Sequence, residues 1–84
     1  MPEDLGNLEK AVLIALFEEV GLSTHAHVPI LSIQRHFPKN IRGFCIDALK
    51  ALVKKGYIVK HPTSGSMTYS LTAYGVAIIR QILK

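Results

Sequence analysis

The chain has 84 residues and a mass of 9.3 kDa, which is one small domain and too short for a dinucleotide-binding fold or a barrel enzyme. Apolar residues make up 49% of the sequence, so the chain can bury a core and is expected to be globular. The longest uninterrupted apolar run, from Ala11 to Phe17, has seven residues, against the roughly 20 that a membrane span needs. We therefore expect one domain over residues 1–84, with residues 1–6 as a flexible arm and no association with a membrane.

The start of the chain and its cysteine content indicate the compartment. Pro2, Glu3 and Asp4 follow the first methionine, and no basic segment precedes a hydrophobic stretch, so the N-terminus does not resemble a secretory signal. The single cysteine, Cys45, cannot form an intrachain disulfide, which agrees with a reducing environment. Together these features predict a cytoplasmic protein.

Charge is distributed unevenly along the sequence. The first 19 residues hold five acids and one base, Lys10, and sum to −4. The residues from 20 onward hold nine bases and one acid, Asp47, and sum to +8. Such a basic segment would attract a polyanion, of which nucleic acid is the commonest. The alternative is that the lysines keep a small apolar protein soluble.

A first helix is predicted from Asn7, whose side chain suits an N-cap, to Gly21, a residue type that often follows a helix. Its apolar residues surround the helix axis instead of forming one stripe. One small core covers only part of such a helix, so the remainder predicts an interface. The loop that follows could hold a brief strand at Ala26 to Val28.

Two further helices are predicted in the middle of the chain. The second runs from Pro29 to His36 and is closed by Pro38, and the third is capped by Asn40 and ends at Gly56. Helical spacing places the following residues of the third helix on one buried face: Ile41, Cys45, Ala48, Leu49 and Leu52. The solvent-facing side carries Gly43, Asp47, Lys50 and Lys54.

The last third of the chain predicts a hairpin and a fourth helix. Tyr57 to Lys60 and Thr68 to Leu71 have strand-like composition and flank a turn-rich loop. Thr72 is expected to cap a C-terminal helix with a wide apolar arc. The predicted fold is therefore mainly α with a small β-hairpin, in the α+β class.

Two segments resemble a known family. Cys45 to Ile58 contains two leucines three apart, a basic pair, a glycine and an aromatic-aliphatic step, and is similar to the end of the recognition helix and the first wing strand of MarR, PadR and ArsR type transcriptional regulators. Tyr69 to Gly75 resembles the segment that opens the last helix in these families. The resemblance covers about residues 7–84. It implies a winged helix-turn-helix domain with a three-helix core, a wing and a C-terminal helix.

The resemblance also implies a function, which is sequence-specific binding of double-stranded DNA by a transcription regulator. By this similarity helix 3 lies in the major groove, with Arg42 and Lys50 nearest base edges or phosphates and Lys39 and Asn40 on the backbone. Gly43 would let the DNA backbone approach closely. The remaining DNA-binding candidates on helices 2 and 3 and on the wing are Arg35, Lys54, Lys60, His61, Thr63, Ser64 and Ser66.

Some residues favour a different function. Asp47 on the exposed side of helix 3 repels phosphate and is useful only as an acceptor for a cytosine amino group. Phe44, Ile46 and Val53 border the same side and could contact thymine methyls or dock against protein. The alternative function is thus a winged-helix protein-protein interaction module that does not bind DNA.

The surplus of apolar surface on helices 1 and 4 predicts a homodimer. A two-fold pair would bury it and would present two reading helices to a two-fold related DNA site. The predicted interface residues are Leu13, Phe17, Ile78, Ile79, Ile82 and Leu83. The alternative is that these are ordinary exposed apolar side chains of a monomer.

The chemically reactive residues predict no metal site, no cofactor and no catalysis. His25 and His27 could contribute to a zinc or nickel site, but no cysteine or acid lies near them in sequence, which favours surface histidines. Cys45 is expected to act as a small buried hydrophobe, with redox sensing as the alternative. No glycine-flanked nucleophile, phosphate-binding loop or paired carboxylate suggests an enzyme.

Overall fold

A computed structural model describes residues 4–84. Its elements, in chain order, are α1 (Asn7–Val20), β1 (Val28–Pro29), α2 (Ile30–Gln34), α3 (Arg42–Lys55), β2 (Ile58–Pro62), β3 (Met67–Leu71) and α4 (Ala73–Ile82). The strands form one antiparallel sheet in the order β1-β3-β2, in which Tyr69 of β3 lies opposite Val28 on one side and Lys60 on the other. This confirms the predicted α+β fold of helices and a wing.

The first helix begins differently from the prediction. Gly6 occupies the N-cap position, and the Glu9 carboxylate accepts a hydrogen bond of 2.8 Å from the Gly6 amide. Asn7 is therefore the first helical residue, and its predicted capping role is wrong because the extended residue that precedes the helix is Gly6. The helix ends at Gly21, whose φ of 66° lies in the region that favours glycine.

The described part of the predicted arm packs against the domain. Leu5 is buried in the core, and the Tyr57 hydroxyl donates to the Asp4 carboxylate at 2.8 Å. The Lys55 ammonium also donates to the Asp4 carbonyl oxygen, at 2.6 Å. Residues 4–6 therefore do not form a flexible arm, and residues 1–3 lie outside the described residues.

The surrounding elements explain why α1 is apolar on all sides. It packs against α2, α3, α4, β1 and β3, so it is the central helix of the fold. Leu13 is 0% exposed, and Ile78 and Ile79 of α4 are similarly buried. These three residues belong to the core and cannot contact a second copy, so their assignment to a dimer interface is wrong.

Two prolines shift the boundaries of the middle helices. Pro29 is extended and pairs with Thr68 in the sheet, so it precedes α2 instead of starting it. Pro38 precedes a short 3-10 turn, Lys39–Ile41, which places Asn40 inside the turn. Asn40 is therefore not the cap of α3, whose N-cap position is taken by Ile41.

The wing is longer than the composition of its strands predicts. Its strands run to Pro62 and from Met67, which leaves a four-residue tip, Thr63–Ser66. Pro62 is compatible with the end of β2 because β2 is an edge strand and needs no hydrogen bond on its outer side.

The junction between the wing and α4 is tightly built. The Thr72 hydroxyl accepts a hydrogen bond of 3.0 Å from the Gly75 amide, which confirms its predicted capping role. The same hydroxyl donates to the Gly56 carbonyl oxygen at 2.7 Å. Gly75 packs so closely on Tyr57 that an added Cβ would overlap the Tyr57 carbonyl oxygen. This junction attaches the wing and α4 to the end of α3.

Candidate nucleic-acid interface

The two sides of α3 have different environments, as the spacing of its residues predicts. Leu49 and Leu52 are 0% exposed, and Cys45 and Ala48 are buried beside them. Lys50 and Lys54 are exposed, as is Asp47. Because the core fixes the apolar side, the charged side is held toward solvent on a rigid helix.

Arg42, the first residue of α3, makes contacts that the sequence did not predict. Its Nε donates hydrogen bonds of 3.1 Å to the carbonyl oxygens of both Gln34 and Phe37. In return the Gln34 side-chain amide donates to the Arg42 carbonyl oxygen, also at 3.1 Å. Arg42 is partly buried by these contacts. Its side chain is thus directed toward the end of α2, which departs from the prediction that it lies nearest base edges or groove-lining phosphates.

The entrance of α3 is open. Lys39 and Asn40 are exposed in the 3-10 turn, and Arg35 is exposed at the end of α2. No atom lies within 4 Å of a Cβ built on Gly43, so this side of the helix can be approached closely. The arrangement brings several predicted backbone contacts to one end of the helix.

A groove of about 210 Å³ lies between α3 and the wing. Lys50 and Val53 of α3 line one side, and Lys60, Met67 and Tyr69 of the wing line the other. It therefore combines two ammonium groups with apolar side chains. Met67 and Tyr69 were not predicted as site residues, because only the packing of the wing onto α3 places them beside Lys50.

The tip of the wing is held by its own hydrogen bonds. The Thr63 hydroxyl donates to the Ser66 carbonyl oxygen at 2.7 Å and accepts from the Ser66 amide at 3.1 Å. Thr63 is therefore partly committed to the turn, while Ser64 and the Ser66 side chain stay exposed at the tip. The tip offers small hydroxyl groups and no basic side chain.

His61 has two neighbours within the fold. Its Nε2 lies 2.9 Å from the Ser70 hydroxyl, and its ring stacks on that of His27 with centroids 3.8 Å apart. His61 is half-buried as a result. A contact from its Nε2 to phosphate would compete with the bond to Ser70, so its predicted DNA role is weakened.

Two exposed apolar side chains border the charged side of α3. Phe44 is 61% exposed and Ile46 is 37% exposed, both on α3. Val53, in contrast, is partly buried against the core. The exposed pair is compatible with contacts to base methyl groups and with docking to a protein.

Most of the described acids near the N-terminus have partners within the chain. Glu9 accepts from the Lys55 ammonium at 2.9 Å, and Glu19 lies 2.8 Å from His36 Nε2. The hydrogen bond from the Gly6 amide lowers the pKa of Glu9, and Lys55 lowers it further. Lys55 thus serves the fold through its contacts with Asp4 and Glu9, and Lys54 next to it lies on the charged side of α3.

The remaining reactive residues form no recognisable chemical centre in the described part of the chain. No group of three or more His, Cys, Asp or Glu within residues 4–84 is placed to hold a metal ion. Cys45 is buried, and burial raises the pKa of its thiol. A thiol in that state is a poor nucleophile, which agrees with its predicted role as a small hydrophobe.

Three predicted dimer residues lie at or near the surface. Leu83 is 53% exposed, and Phe17 and Ile82 are partly buried.

Within residues 4–84, no helix is long and apolar enough to cross a membrane.

Comparisons with known proteins identify the fold. Neither family models nor curated protein sequences match the chain. RosR of H. salinarum, from crystals grown from NaBr, superimposes with a TM-score of 0.78 at 24% identity, covering 99% of this chain and 74% of that one. A complex structure of RosR-S1 gives a TM-score of 0.77 at 24% identity, covering 98% and 72% of the two chains. The chain therefore has a winged helix-turn-helix fold. Its particular likeness to MarR, PadR or ArsR regulators stays a prediction.

Proposed function

We propose that the protein binds double-stranded DNA sequence-specifically in the cytoplasm and regulates transcription as a homodimer. The proposal rests on one observation, the division of α3 into a side sealed in the core and a side that presents Lys50 and Lys54 to solvent. In the proposed complex α3 lies in the major groove and the wing lies on the backbone or in the minor groove. No catalytic step is part of this function.

The dimensions of α3 support this mode of binding. Its 14 residues, at about 1.5 Å per residue, give a rod roughly 21 Å long. The major groove of B-form DNA is about 12 Å wide and admits one helix. The open side of Gly43 lets the front of the helix lie close to a DNA strand. Asp47 then accepts from a cytosine amino group, which would contribute specificity instead of affinity.

The groove between α3 and the wing is suited to one strand of the DNA backbone. Lys50 and Lys60 would hold a phosphate from two sides, and Met67 would pack on the adjacent sugar. A methylphosphonate placed at that single phosphate removes its charge. It should weaken binding by the parent protein and should have little effect on a variant with Lys50→Ala and Lys60→Ala. An equal effect on both proteins would contradict this assignment.

Selection from a random pool of duplexes tests the function directly. We expect an enriched motif with two-fold symmetry, and affinity for it should fall steeply as salt rises because phosphate contacts release counterions. Replacing both Lys50 and Lys54 by Ala should reduce the slope of log K against log salt by about 1.8, at about 0.9 per phosphate contact.

A matched control removes two exposed cations from the other end of the chain, Arg80→Ala with Lys84→Ala. It should change the slope far less than the α3 pair does. Equal effects of the two pairs would mean that α3 is not the reader, and no binding to any duplex at low salt would refute the function.

The homodimer is proposed on a smaller surface than the sequence predicts. Leu83, Ile82 and Phe17 are the predicted interface residues that keep exposed area. Light scattering at tens of micromolar should give a mass near twice 9.3 kDa. Leu83→Glu should convert the dimer to a monomer, and a monomeric parent protein would refute the proposal.

The second candidate function is a protein-docking module. It is favoured by the exposure of Phe44, which is 61% exposed at the front of α3. Phe44→Ala would then abolish binding of the protein partner, and no duplex would be enriched by selection. If DNA is the partner, Phe44→Ala changes affinity at particular base pairs and leaves the salt slope unaltered.

A further inference from the structure

The contact between Gln34 and Arg42 joins the two helices of the helix-turn-helix. Three hydrogen bonds of 3.1 Å link the end of α2 and the turn to the first residue of α3. Two of them come from the Arg42 Nε, and the third returns from the Gln34 amide to the Arg42 carbonyl oxygen. Both side chains are partly buried, so water competes less for these bonds than it does on an open surface.

Arg42 adds a further donor at the end of α2. Gln34 is the last residue of α2, and its carbonyl oxygen also accepts from the Phe37 amide of the turn at 3.0 Å. The α2 helix has five residues, so it has little stability of its own and depends on tertiary contacts. A charged donor shared by Gln34 and Phe37 thus fixes the end of α2, the turn and the start of α3 relative to one another.

We propose that Gln34 and Arg42 form a clamp that sets the orientation of α3, and that Arg42 is a positioning residue for DNA binding instead of a DNA contact. The effect on DNA rests on the proposed function, whereas the effect on the orientation of α3 does not. The clamp acts through the angle at which Lys50, Lys54 and Asp47 are presented to the groove. Its loss therefore changes the fit of the reading helix without removing a phosphate contact.

The orientation is measured on the full chain without DNA. Residual dipolar couplings of backbone amides in α3 and α1 report the angle between the two helices. Arg42→Met should change this angle or reduce the order of α3, and Gln34→Met, which removes a single bond, should have a smaller effect in the same direction. Arg80→Met removes an arginine of α4 and should leave the α3 couplings unchanged. Unchanged α3 couplings in both clamp variants would overturn the proposal.

Binding to a selected duplex separates positioning from contact. Arg42→Met is expected to weaken binding about tenfold, or 1.4 kcal/mol, with an unchanged salt slope. A direct phosphate contact would instead lower the slope by about 0.9. Arg42→Lys keeps the charge but has a methylene group where the Arg42 Nε donates, so it should bind nearly as weakly as Arg42→Met. Full affinity in Arg42→Lys, or a reduced slope in Arg42→Met, would show that the charge acts on DNA and would overturn the proposal.

Coupling between the two clamp residues gives an independent readout. Arg42→Met removes the two bonds from its Nε, and Gln34→Met removes the separate bond to the Arg42 carbonyl oxygen. Because these bonds hold the same junction between α2 and α3, the loss of affinity in the double variant should be smaller than the product of the two single losses. Losses that multiply would mean that the two residues act separately, which contradicts a clamp. If the parent protein binds no duplex, the proposed function fails, and the dipolar couplings still decide whether the clamp exists.

Discussion

Two glycines in the first turns of helices should respond to alanine with opposite signs. Gly75 lies in α4 and Gly43 in α3. Alanine is favoured over glycine in a helix by up to about 1 kcal/mol, so propensity alone predicts that both changes stabilise the protein. The surroundings of the added methyl group differ completely. At Gly43 nothing lies within 4 Å of it, whereas at Gly75 it would overlap the Tyr57 carbonyl oxygen.

The size of the effect at Gly75 follows from what must move. The Tyr57 carbonyl oxygen accepts from the Thr72 amide at 3.2 Å, and at 3.1 Å it shares the single proton of the Thr72 hydroxyl with the Gly56 carbonyl oxygen. Overpacking a tight site costs about 1 to 3 kcal/mol, and each disturbed hydrogen bond costs about 1 kcal/mol. After the gain in helix propensity, Gly75→Ala should lower the free energy of unfolding by about 2 to 4 kcal/mol. Gly43→Ala should raise it by up to about 1 kcal/mol.

Urea unfolding followed by circular dichroism measures both variants against the parent protein. For a domain of this size the loss at Gly75 corresponds to a fall in Tm of roughly 10 to 30 °C. If Gly75→Ala were as stable as Gly43→Ala, the close packing of α4 on Tyr57 would be refuted. The way in which the wing and α4 are attached to the end of α3 would then have to be reconsidered.

Four further predictions concern ionisation and charge. Burial, with the hydrogen bond to Asp4, raises the pKa of Tyr57 above its ordinary value of 10.0. The contribution of Tyr57 to stability is therefore present below pH 10 and is lost as pH rises through the pKa of the folded state. Chemical unfolding across this range should show a fall in the free energy of unfolding that Tyr57→Phe removes. The lowered pKa of Glu9 has the opposite consequence. Its contribution to stability is present above the ordinary pKa of 4.5 and is lost as pH falls through the pKa of the folded state. Glu9→Gln should therefore reduce the loss of unfolding free energy in acid. In the folded protein the Cys45 thiol should react with an aromatic disulfide reagent only as fast as the domain unfolds. A rapid reaction whose rate does not depend on denaturant concentration would contradict the burial of Cys45. Asp47→Asn should strengthen binding to random duplexes and reduce the ratio of the affinity for the selected duplex to that for random duplexes. An unchanged ratio would show that Asp47 does not read a base.

The sequence predicts the regular parts of this fold well because each is coded by local signals. The spacing of Cys45, Leu49 and Leu52 defines the buried side of α3, and the structure confirms it. Thr72 caps α4 as its position before an apolar segment predicts. These features depend on side chains a few residues apart, so no knowledge of the tertiary fold is needed to find them.

Apart from the capping roles of Asn7 and Asn40 and the start of α2 at Pro29, the errors arise where distant segments meet. The apolar residues of α1 predict a surface for a second copy, but they are needed because five other elements pack around this helix. Arg42 has the charge and position of a base reader, and the proximity of Gln34 and Phe37 turns it toward α2. His61 similarly meets His27 through the sheet. In each case the two partners are separated in sequence by a distance at which helix or strand periodicity does not predict a contact.

Mapping of amide chemical shifts onto the chain during titration with a selected duplex tests the central claim most directly. At low salt, the largest changes should fall in residues 39–54 and in the wing at residues 60–66, with small changes in residues 73–84. Changes concentrated at the end of α4, with none around Lys50 and Lys54, would show that DNA meets a different surface and would contradict the assignment of α3 as the reading helix.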